Sequence, residues 1–209
     1  MHVPFDPLAY TALGESIVRE MANQELHKLS ELSPFDGAGI YALYYEGDHP
    51  AYVPLAKRNR EHHGCWAIYI GKAEADSKRK GIYDASTDGI GEKLYRRVMN
   101  HKRSISQAHN LDLEDFYVRV LTVVPTWVPL AEMVAIREHT PVWNSVLDGF
   151  GNHNPGRGRA KSLASRWDTL HPGRDWVENN TVPRDESEGD LTQRVLDFLK
   201  ASERKRTIE

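Results

Sequence analysis

Two short runs of aromatic and β-branched residues constrain the fold more than any other feature of the sequence. Residues 38–45 (AGIYALYY) and residues 65–71 (CWAIYIG) both have the composition that is typical of β-strands. A turn and then a charged loop, KRNREHH, are predicted between the two runs. We therefore expect the strands to pair as an antiparallel hairpin with a long connection.

Apolar spacing and strand-forming residues predict the remaining elements. These are a helix over residues 7–32, a helix from Gly91 to about Ser106, a third strand over residues 115–124, a helix from Pro129 to about His139 and a short helix over residues 190–203. The core order of strand, strand, helix, strand and helix predicts an α+β fold, in which helices flank a small three-stranded antiparallel sheet. Helical and loop extensions are expected at both ends.

The length and composition fit one globular unit with additional arms, or one unit with a small second domain. Of the 209 residues, 40% are hydrophobic and 27% are charged. We expect an N-terminal helical extension over residues 1–34, a core over residues 35–148 and basic loops with a C-terminal helix over residues 149–209. No apolar run approaches the roughly 20 residues that span a bilayer, and the first residues lack the layout of a secretory signal. Cys65 is the single cysteine, so we expect a cytoplasmic protein without a membrane segment.

Positive charge is concentrated in local runs, although the formal net charge is −3. The runs are Lys78, Arg79 and Lys80; Arg96, Arg97, Lys102 and Arg103; and Arg157, Arg159, Lys161 and Arg166. Any one of these runs is also typical of an ordinary solvated face. Together, however, they give the uneven distribution that a DNA-facing surface on a near-neutral protein requires.

Two tyrosines and a helical Arg–His pair are candidates for chemistry. Tyr41 ends a GIY triplet, and Tyr69 begins a YIG triplet that Lys72 follows. Neighbouring strands can place both tyrosines on one face of a sheet, although each triplet alone is equally typical of a core strand. Arg97 and His101 lie four residues apart and therefore share a helix face. An arginine fork matches phosphate oxygens, and a histidine can transfer protons near neutral pH.

A carboxylate and an amide complete the candidate set. Glu132 lies in the apolar run LAEMVAI, where a carboxylate requires a cation, a donor or a metal if it is buried. A hard divalent cation that keeps several waters can be held by one carboxylate. Exposure to solvent or an ion pair with Arg137 would also explain this residue. Asn144 in the segment PVWN could orient the preceding groups through hydrogen bonds, or could be an ordinary turn residue.

Together and in this order, these motifs resemble the GIY-YIG nuclease superfamily. The resemblance covers roughly residues 38–145, and the joint pattern is much more specific than any single triplet. The long interval between GIY and YIG, and the basic tail with residues 152–157 and 167–174, resemble the type II restriction endonuclease branch of that superfamily.

The resemblance implies a metal-dependent endonuclease that acts as a homodimer on double-stranded DNA, with a companion DNA methyltransferase. Mg²⁺ is the implied cofactor, and Mn²⁺ is a plausible substitute. The resemblance implies that Tyr41 is the general base, either directly as a phenolate or through His101. It implies that Tyr69 positions the phosphate or the water, that Arg97 contacts the phosphate and that Glu132 binds one cation. It further implies that Lys72 adds positive charge and that Asn144 supports the site.

DNA recognition is expected to come from the basic runs and the tail. Arginine on guanine is the commonest specific contact with a base, so an arginine-rich tail favours a palindrome that contains G·C pairs. The expected backbone contacts are Lys78, Arg79 and Lys80, and the expected base contacts are Arg157, Arg159 and Arg174. Either terminal helix could supply the dimer face or an arm around the DNA.

Three alternatives remain open at the level of the sequence. The protein could be a structure-selective repair or recombination nuclease of the same superfamily, which would have weak sequence preference. It could be a catalytically inactive DNA-binding protein on the same scaffold, although the intact set of candidate residues argues against that interpretation. It could also be a nuclease that acts on RNA.

Overall fold

A computed structural model describes residues 10–74, 91–152 and 162–208 of the chain. Within these ranges the helices are α1 (Tyr10–Asn23), α2 (Val53–Glu61), α3 (Lys93–Gln107), α4 (Val128–His139), α5 (Val142–Ser145), α6 (Arg166–Leu170), α7 (Asp175–Asn180) and α8 (Glu188–Ile208). The strands are β1 (His27–Lys28), β2 (Gly39–Tyr45), β3 (Tyr69–Ala73), β4 (Phe116–Thr122), β5 (Ser162–Leu163) and β6 (Thr181–Val182). The mixture of helices with an antiparallel sheet confirms the predicted α+β class.

A four-stranded antiparallel sheet with the order β1-β4-β2-β3 forms the centre of the fold. All seven residues of β2 are buried, because β2 is covered on both faces and paired on both edges. The sheet has one strand more than expected, and the predicted helix over residues 7–32 is too long. It ends at Asn23, and His27 and Lys28 instead pair with β4, so that this short strand covers a sheet edge that would otherwise be open.

Most of the charged stretch KRNREHH is helical rather than a loop, so that prediction was wrong. It belongs to α2, which has a proline in its first turn and buries only Leu55, Ala56 and Asn59. The high charge content of the stretch hid the helical spacing of these three inward-facing residues. The Asn59 side chain donates to the carbonyl oxygens of Tyr45 and Trp66 and accepts from the Trp66 amide, which fixes α2 against the connection between β2 and β3.

The alternation of side chains along the strands divides the core between two faces of the sheet. Ile40, Ala42 and Tyr44 pack with residues of α1 and α4 on one face. Tyr41, Leu43 and Tyr45 lie on the other face, where α3 and the C-terminal elements pack. The central strand therefore presents Tyr41 toward α3.

The C-terminal region shares the core of the sheet instead of forming a separate arm. Trp167 and Leu170 of α6 and Leu191, Val195 and Leu199 of α8 are buried in the same hydrophobic cluster as Tyr41. A boundary at residue 148 therefore does not separate two cores. Among the helices that the structure describes, none combines the length and apolar character needed to cross a bilayer.

A buried polar network joins the C-terminal region to the rest of the fold. Trp143 Nε1 donates to the Tyr52 hydroxyl over 2.8 Å, and that hydroxyl lies 2.5 Å from His171 Nε2. His171 Nδ1 lies 2.9 Å from Asn110 Oδ1. A neutral imidazole satisfies both contacts, because Nδ1–H donates to the amide oxygen and Nε2 accepts from the tyrosine. Burial lowers the pKa of His171 well below its ordinary value, and nearby His49 adds to the effect.

We expect stability to fall as the pH decreases from 7 to 5. In the unfolded chain His171 takes up a proton near pH 6.5, whereas its pKa in the folded protein lies lower, so the unfolded state binds more protons in this interval. One such proton gives a slope of up to about 1.4 kcal/mol per pH unit in the free energy of unfolding. Chemical denaturation at a series of pH values measures this slope.

The variant His171→Gln keeps a donor and an acceptor but cannot titrate, so its slope should be smaller than that of the wild type. The variant His62→Gln, at an exposed position, is the control and should retain the wild-type slope. Equal slopes for the wild type and His171→Gln would contradict the assignment.

Candidate active site

The register of β2 and β3 brings Tyr41 and Tyr69 together on the α3 face. Tyr41 pairs with Gly71, and Tyr69 pairs with Leu43, so the two tyrosine rings lie with their centroids 6.1 Å apart. Gly71 is required at its position by close contact. A Cβ atom there would overlap the Tyr41 hydroxyl and lie 2.9 Å from Tyr69 Cε1.

Helix α3 brings His101 and Arg97 to the same place. The His101 side chain is buried, and its ring centroid lies 5.5 Å from that of Tyr41 and 5.2 Å from that of Tyr69. Arg97 is half-buried, and its guanidinium donates to the Gly151 carbonyl oxygen over 3.4 Å. The four-residue spacing thus places both side chains on the face of α3 that packs toward the tyrosines.

The Tyr41 hydroxyl is buried, and its polar neighbours are the Tyr69 hydroxyl and the Arg97 guanidinium. Burial raises the pKa of Tyr41 well above its ordinary value of about 10, and Tyr69 adds to the increase while Arg97 opposes it. The hydroxyl therefore lies close to a second phenol and to a cation, in surroundings that favour the neutral phenol.

The turn at residues 149–152 forms one wall of the site, which the sequence analysis missed. The Phe150 ring stacks on His101 at 4.4 Å with an interplanar angle of 24°, and meets Tyr69 edge-on at 4.9 Å. At Gly151 a Cβ atom would lie 3.2 Å from the Tyr69 hydroxyl oxygen. The only signal in the sequence is a single aromatic residue, Phe150, between two glycines in a region predicted to consist of basic loops.

Asn144 holds the edge strand β3 in place. Its Oδ1 accepts from the Ile70 amide at 2.9 Å, and its Nδ2 donates to the Ile70 carbonyl oxygen at 2.8 Å. The Trp143 amide donates to the Ile68 carbonyl oxygen at 3.0 Å. The Asn144 side-chain amide therefore forms the two backbone hydrogen bonds that a neighbouring strand would form, and it fixes Ile70 between Tyr69 and Gly71.

Lys72 lies near the end of the edge strand β3, next to Glu132 of helix α4. Lys72 Nζ lies 2.7 Å from Glu74 Oε1 and 3.2 Å from Glu132 Oε2. These carboxylates raise the pKa of Lys72, with the Glu74 contact as the largest cause. Burial, and to a lesser degree the charge of Glu132, raises the pKa of Tyr69, which indicates that this carboxylate is close to the tyrosine site.

The donor set fits a hard divalent cation that is held mainly by water and phosphate. Among the described residues there is no cluster of three or more His, Cys, Asp or Glu side chains that could enclose a metal ion. Glu132 is a partly exposed carboxylate with a cationic neighbour, which shows that this position favours positive charge. One carboxylate is sufficient for Mg²⁺ or Mn²⁺ when the remaining ligands are oxygens of water and substrate.

The expected DNA contacts divide into two groups. Lys78, Arg79, Lys80, Arg157 and Arg159 lie outside the described residues. Arg174 is described, and its side chain is 1% exposed and paired with Asp168, which is 2% exposed. This burial contradicts the expectation that Arg174 contacts a base, because protein atoms enclose the guanidinium that would reach the DNA.

The chain matches the family model of the Eco29kI GIY-YIG domain over residues 33–199. The chain belongs to the GIY-YIG restriction endonuclease family. The match includes both triplets, α3, Glu132 and Asn144, and it extends through most of α8, in agreement with the shared core of the C-terminal region. Membership of this family supports a nuclease that binds DNA. A search of curated proteins finds no match.

We expect the variant Gly71→Ala to lose cleavage activity by a factor of about 100 or more, because the added methyl group displaces the Tyr41 hydroxyl. Overpacking should also lower the free energy of unfolding by about 1–3 kcal/mol. Cleavage rates and thermal unfolding measure the two effects.

The variant Gly189→Ala provides a matched control. The nearest atom to its Cβ would be 3.7 Å away, so activity and stability should remain close to those of the wild type. Full activity of Gly71→Ala would show that the close approach of Tyr41 and β3 is not required for catalysis.

Proposed function

We propose that the protein is a type II restriction endonuclease, which hydrolyses phosphodiester bonds in double-stranded DNA at a specific palindromic site that contains G·C pairs. The observation that carries this proposal is the grouping of the buried Tyr41 hydroxyl with Tyr69, Arg97 and His101, in a chain of the restriction endonuclease family. A non-catalytic scaffold has no reason to retain all of the site residues, which are Tyr41, Tyr69, Arg97, His101 and Glu132.

In the proposed reaction Tyr41 accepts the proton of the attacking water. The raised pKa of Tyr41 keeps its phenol neutral at pH 7 in the free protein. To act as a base, the phenol must either pass on its own proton while it accepts the proton of the water, or ionise because additional positive charge lowers its pKa. His101, with its ring 5.5 Å from that of Tyr41, is the group placed to relay that proton. Tyr69 positions the phosphate or the water from the same face of the sheet.

Positive charge stabilises the transition state in this scheme. Arg97 contacts the pentavalent phosphate, an interaction that strengthens as negative charge develops. Glu132 would hold one Mg²⁺ or Mn²⁺ ion, which when bound offsets charge on the leaving oxygen and the scissile phosphate. Lys72 adds charge at the same edge of the sheet, where Glu74 keeps it in place. Asn144 keeps β3 in register beneath these groups.

Several further features belong to this proposal. A palindromic site is recognised by a two-fold homodimer, for which α1 and α8 are the candidate contacts. Contacts to backbone phosphates are assigned to Lys78, Arg79 and Lys80, and contacts to bases are assigned to Arg157 and Arg159. A restriction enzyme also requires a companion methyltransferase that protects the host DNA, and a cytoplasmic location where both proteins reach that DNA.

The test is incubation of the protein with a long phage or plasmid DNA and Mg²⁺, followed by gel electrophoresis. We expect discrete fragments, and loss of cleavage when the cation is chelated. A smear or nicked circles would contradict site specificity, and would indicate a structure-selective or nonspecific nuclease. Intact DNA with altered mobility would contradict the nuclease proposal and indicate a binding protein.

Variants assign the cleavage to this site. Tyr41→Phe should lower the rate by about 10²- to 10⁴-fold, Arg97→Ala should lower it by about 10²- to 10³-fold, and Glu132→Ala should abolish it, with DNA binding largely retained. The control is Tyr44→Phe, a buried tyrosine on the opposite face of the same strand, which should cleave normally. An active Glu132→Ala protein would refute the metal assignment, and an active Tyr41→Phe protein would refute the base.

A further inference from the structure

The buried ion pair between Arg174 and Asp168 is fixed from several sides. Arg174 Nε donates to Asp168 Oδ1 over 2.6 Å, and the Ser165 hydroxyl donates to Asp168 Oδ2 over 2.5 Å. The guanidinium carbon lies 4.7 Å from the ring centroid of Trp167 and 5.0 Å from that of Trp176. A pair this completely buried and restrained holds its donors in one orientation.

Nη2 of Arg174 also contacts Asp168, and the remaining hydrogen bonds of the guanidinium go to one turn of the backbone. Nη1 donates to the carbonyl oxygens of Phe150 and Asn152, each over 3.3 Å, and Nη2 donates to that of Gly149 over 3.0 Å. Three carbonyl groups of the turn at residues 149–152 therefore end on a single guanidinium. Only arginine has enough donors in a rigid fork for this arrangement, because a lysine ammonium is a compact group with three donors.

The same turn contacts three residues of the candidate active site. The Phe150 ring stacks on His101 at 4.4 Å and meets Tyr69 at 4.9 Å. The Gly151 carbonyl oxygen accepts from Arg97 over 3.4 Å. A shift of this turn would therefore move the acceptor of Arg97 and the ring that supports His101.

We propose that Arg174, oriented by Asp168, is a positioning residue for the nuclease site and acts through the turn at residues 149–152. This inference rests on the proposed function, since it requires that Arg97, His101 and Tyr69 act on DNA. A buried ion pair is weak evidence for stability alone, because desolvation offsets most of its attraction. The fixed geometry of this ion pair is suited to placing catalytic groups, since a displacement of about 1 Å can lower the rate about 10²-fold.

The test compares Arg174→Lys with a matched control, Arg119→Lys. Arg119 also donates to two carbonyl oxygens, those of Gln24 and Gly64, and lies over the ring of Tyr44, but it is on the α1 side of the sheet. Single-turnover cleavage, DNA affinity, thermal unfolding and the NMR signals of the His101 ring are measured for both variants.

For Arg174→Lys we expect a rate about 10²-fold lower, a DNA dissociation constant within threefold of the wild type, and shifted His101 ring signals, because the stacked Phe150 ring moves. Arg119→Lys should lose stability but retain its rate within twofold and the wild-type His101 signals. A folded Arg174→Lys protein with wild-type rate and His101 signals would overturn the proposal. An equal loss of rate in both variants would also overturn it.

The NMR measurement separates this inference from the proposed function, because it needs no cleavage. If the wild type does not cut DNA, an unchanged His101 ring in Arg174→Lys still refutes the positioning role, and a shifted ring still supports it. If Arg174→Lys does not fold, Asp168→Asn replaces it as a variant of nearly the same shape. Asp168→Asn should show the same changes in smaller degree, and wild-type behaviour of that variant would refute the proposal.

Discussion

The close approach of the Tyr41 hydroxyl to Gly71 is the contact on which the site depends. It requires β2 and β3 to pair in one register, with glycine opposite tyrosine, because any side chain at residue 71 would occupy the space of the hydroxyl. β3 is an edge strand of the four-stranded sheet, and Asn144 keeps it in register through two hydrogen bonds to the backbone of Ile70. The two sequence triplets thus describe one piece of local geometry, in which a buried tyrosine hydroxyl lies against a glycine of the neighbouring strand.

Elements from distant parts of the chain complete the surroundings of that hydroxyl. Helix α3 supplies Arg97 and His101, and helix α4 supplies the Glu132 carboxylate next to Lys72 on the edge strand. The turn at residues 149–152 closes the opposite wall, and the C-terminal region holds that turn through Arg174. The shared hydrophobic cluster explains why the family domain extends to residue 199, well beyond the segment that carries the motifs.

The sequence predicted the α+β class, the hairpin, α3 and α4, because each has strong periodicity or strand composition. It missed α2, where charge concealed three inward residues, and it missed β1, whose two residues are strand only because β4 offers them an edge. Motif order identified the candidate site residues. It could not show the role of Phe150 or the burial of Arg174, because both depend on tertiary contacts with Trp167 and its neighbours.

The most direct measurement on the central claim is the pH dependence of single-turnover DNA cleavage after Tyr41 is replaced by a fluorinated tyrosine, which has a more acidic phenol and nearly the same shape. If the Tyr41 phenol gives up its proton in the step that sets the rate, the rising part of the profile should move to lower pH by about the decrease in phenol pKa. The same substitution at Tyr44 should leave the profile unchanged. A variant at Tyr41 that folds and cleaves with the wild-type profile would contradict the assignment of Tyr41 as the base.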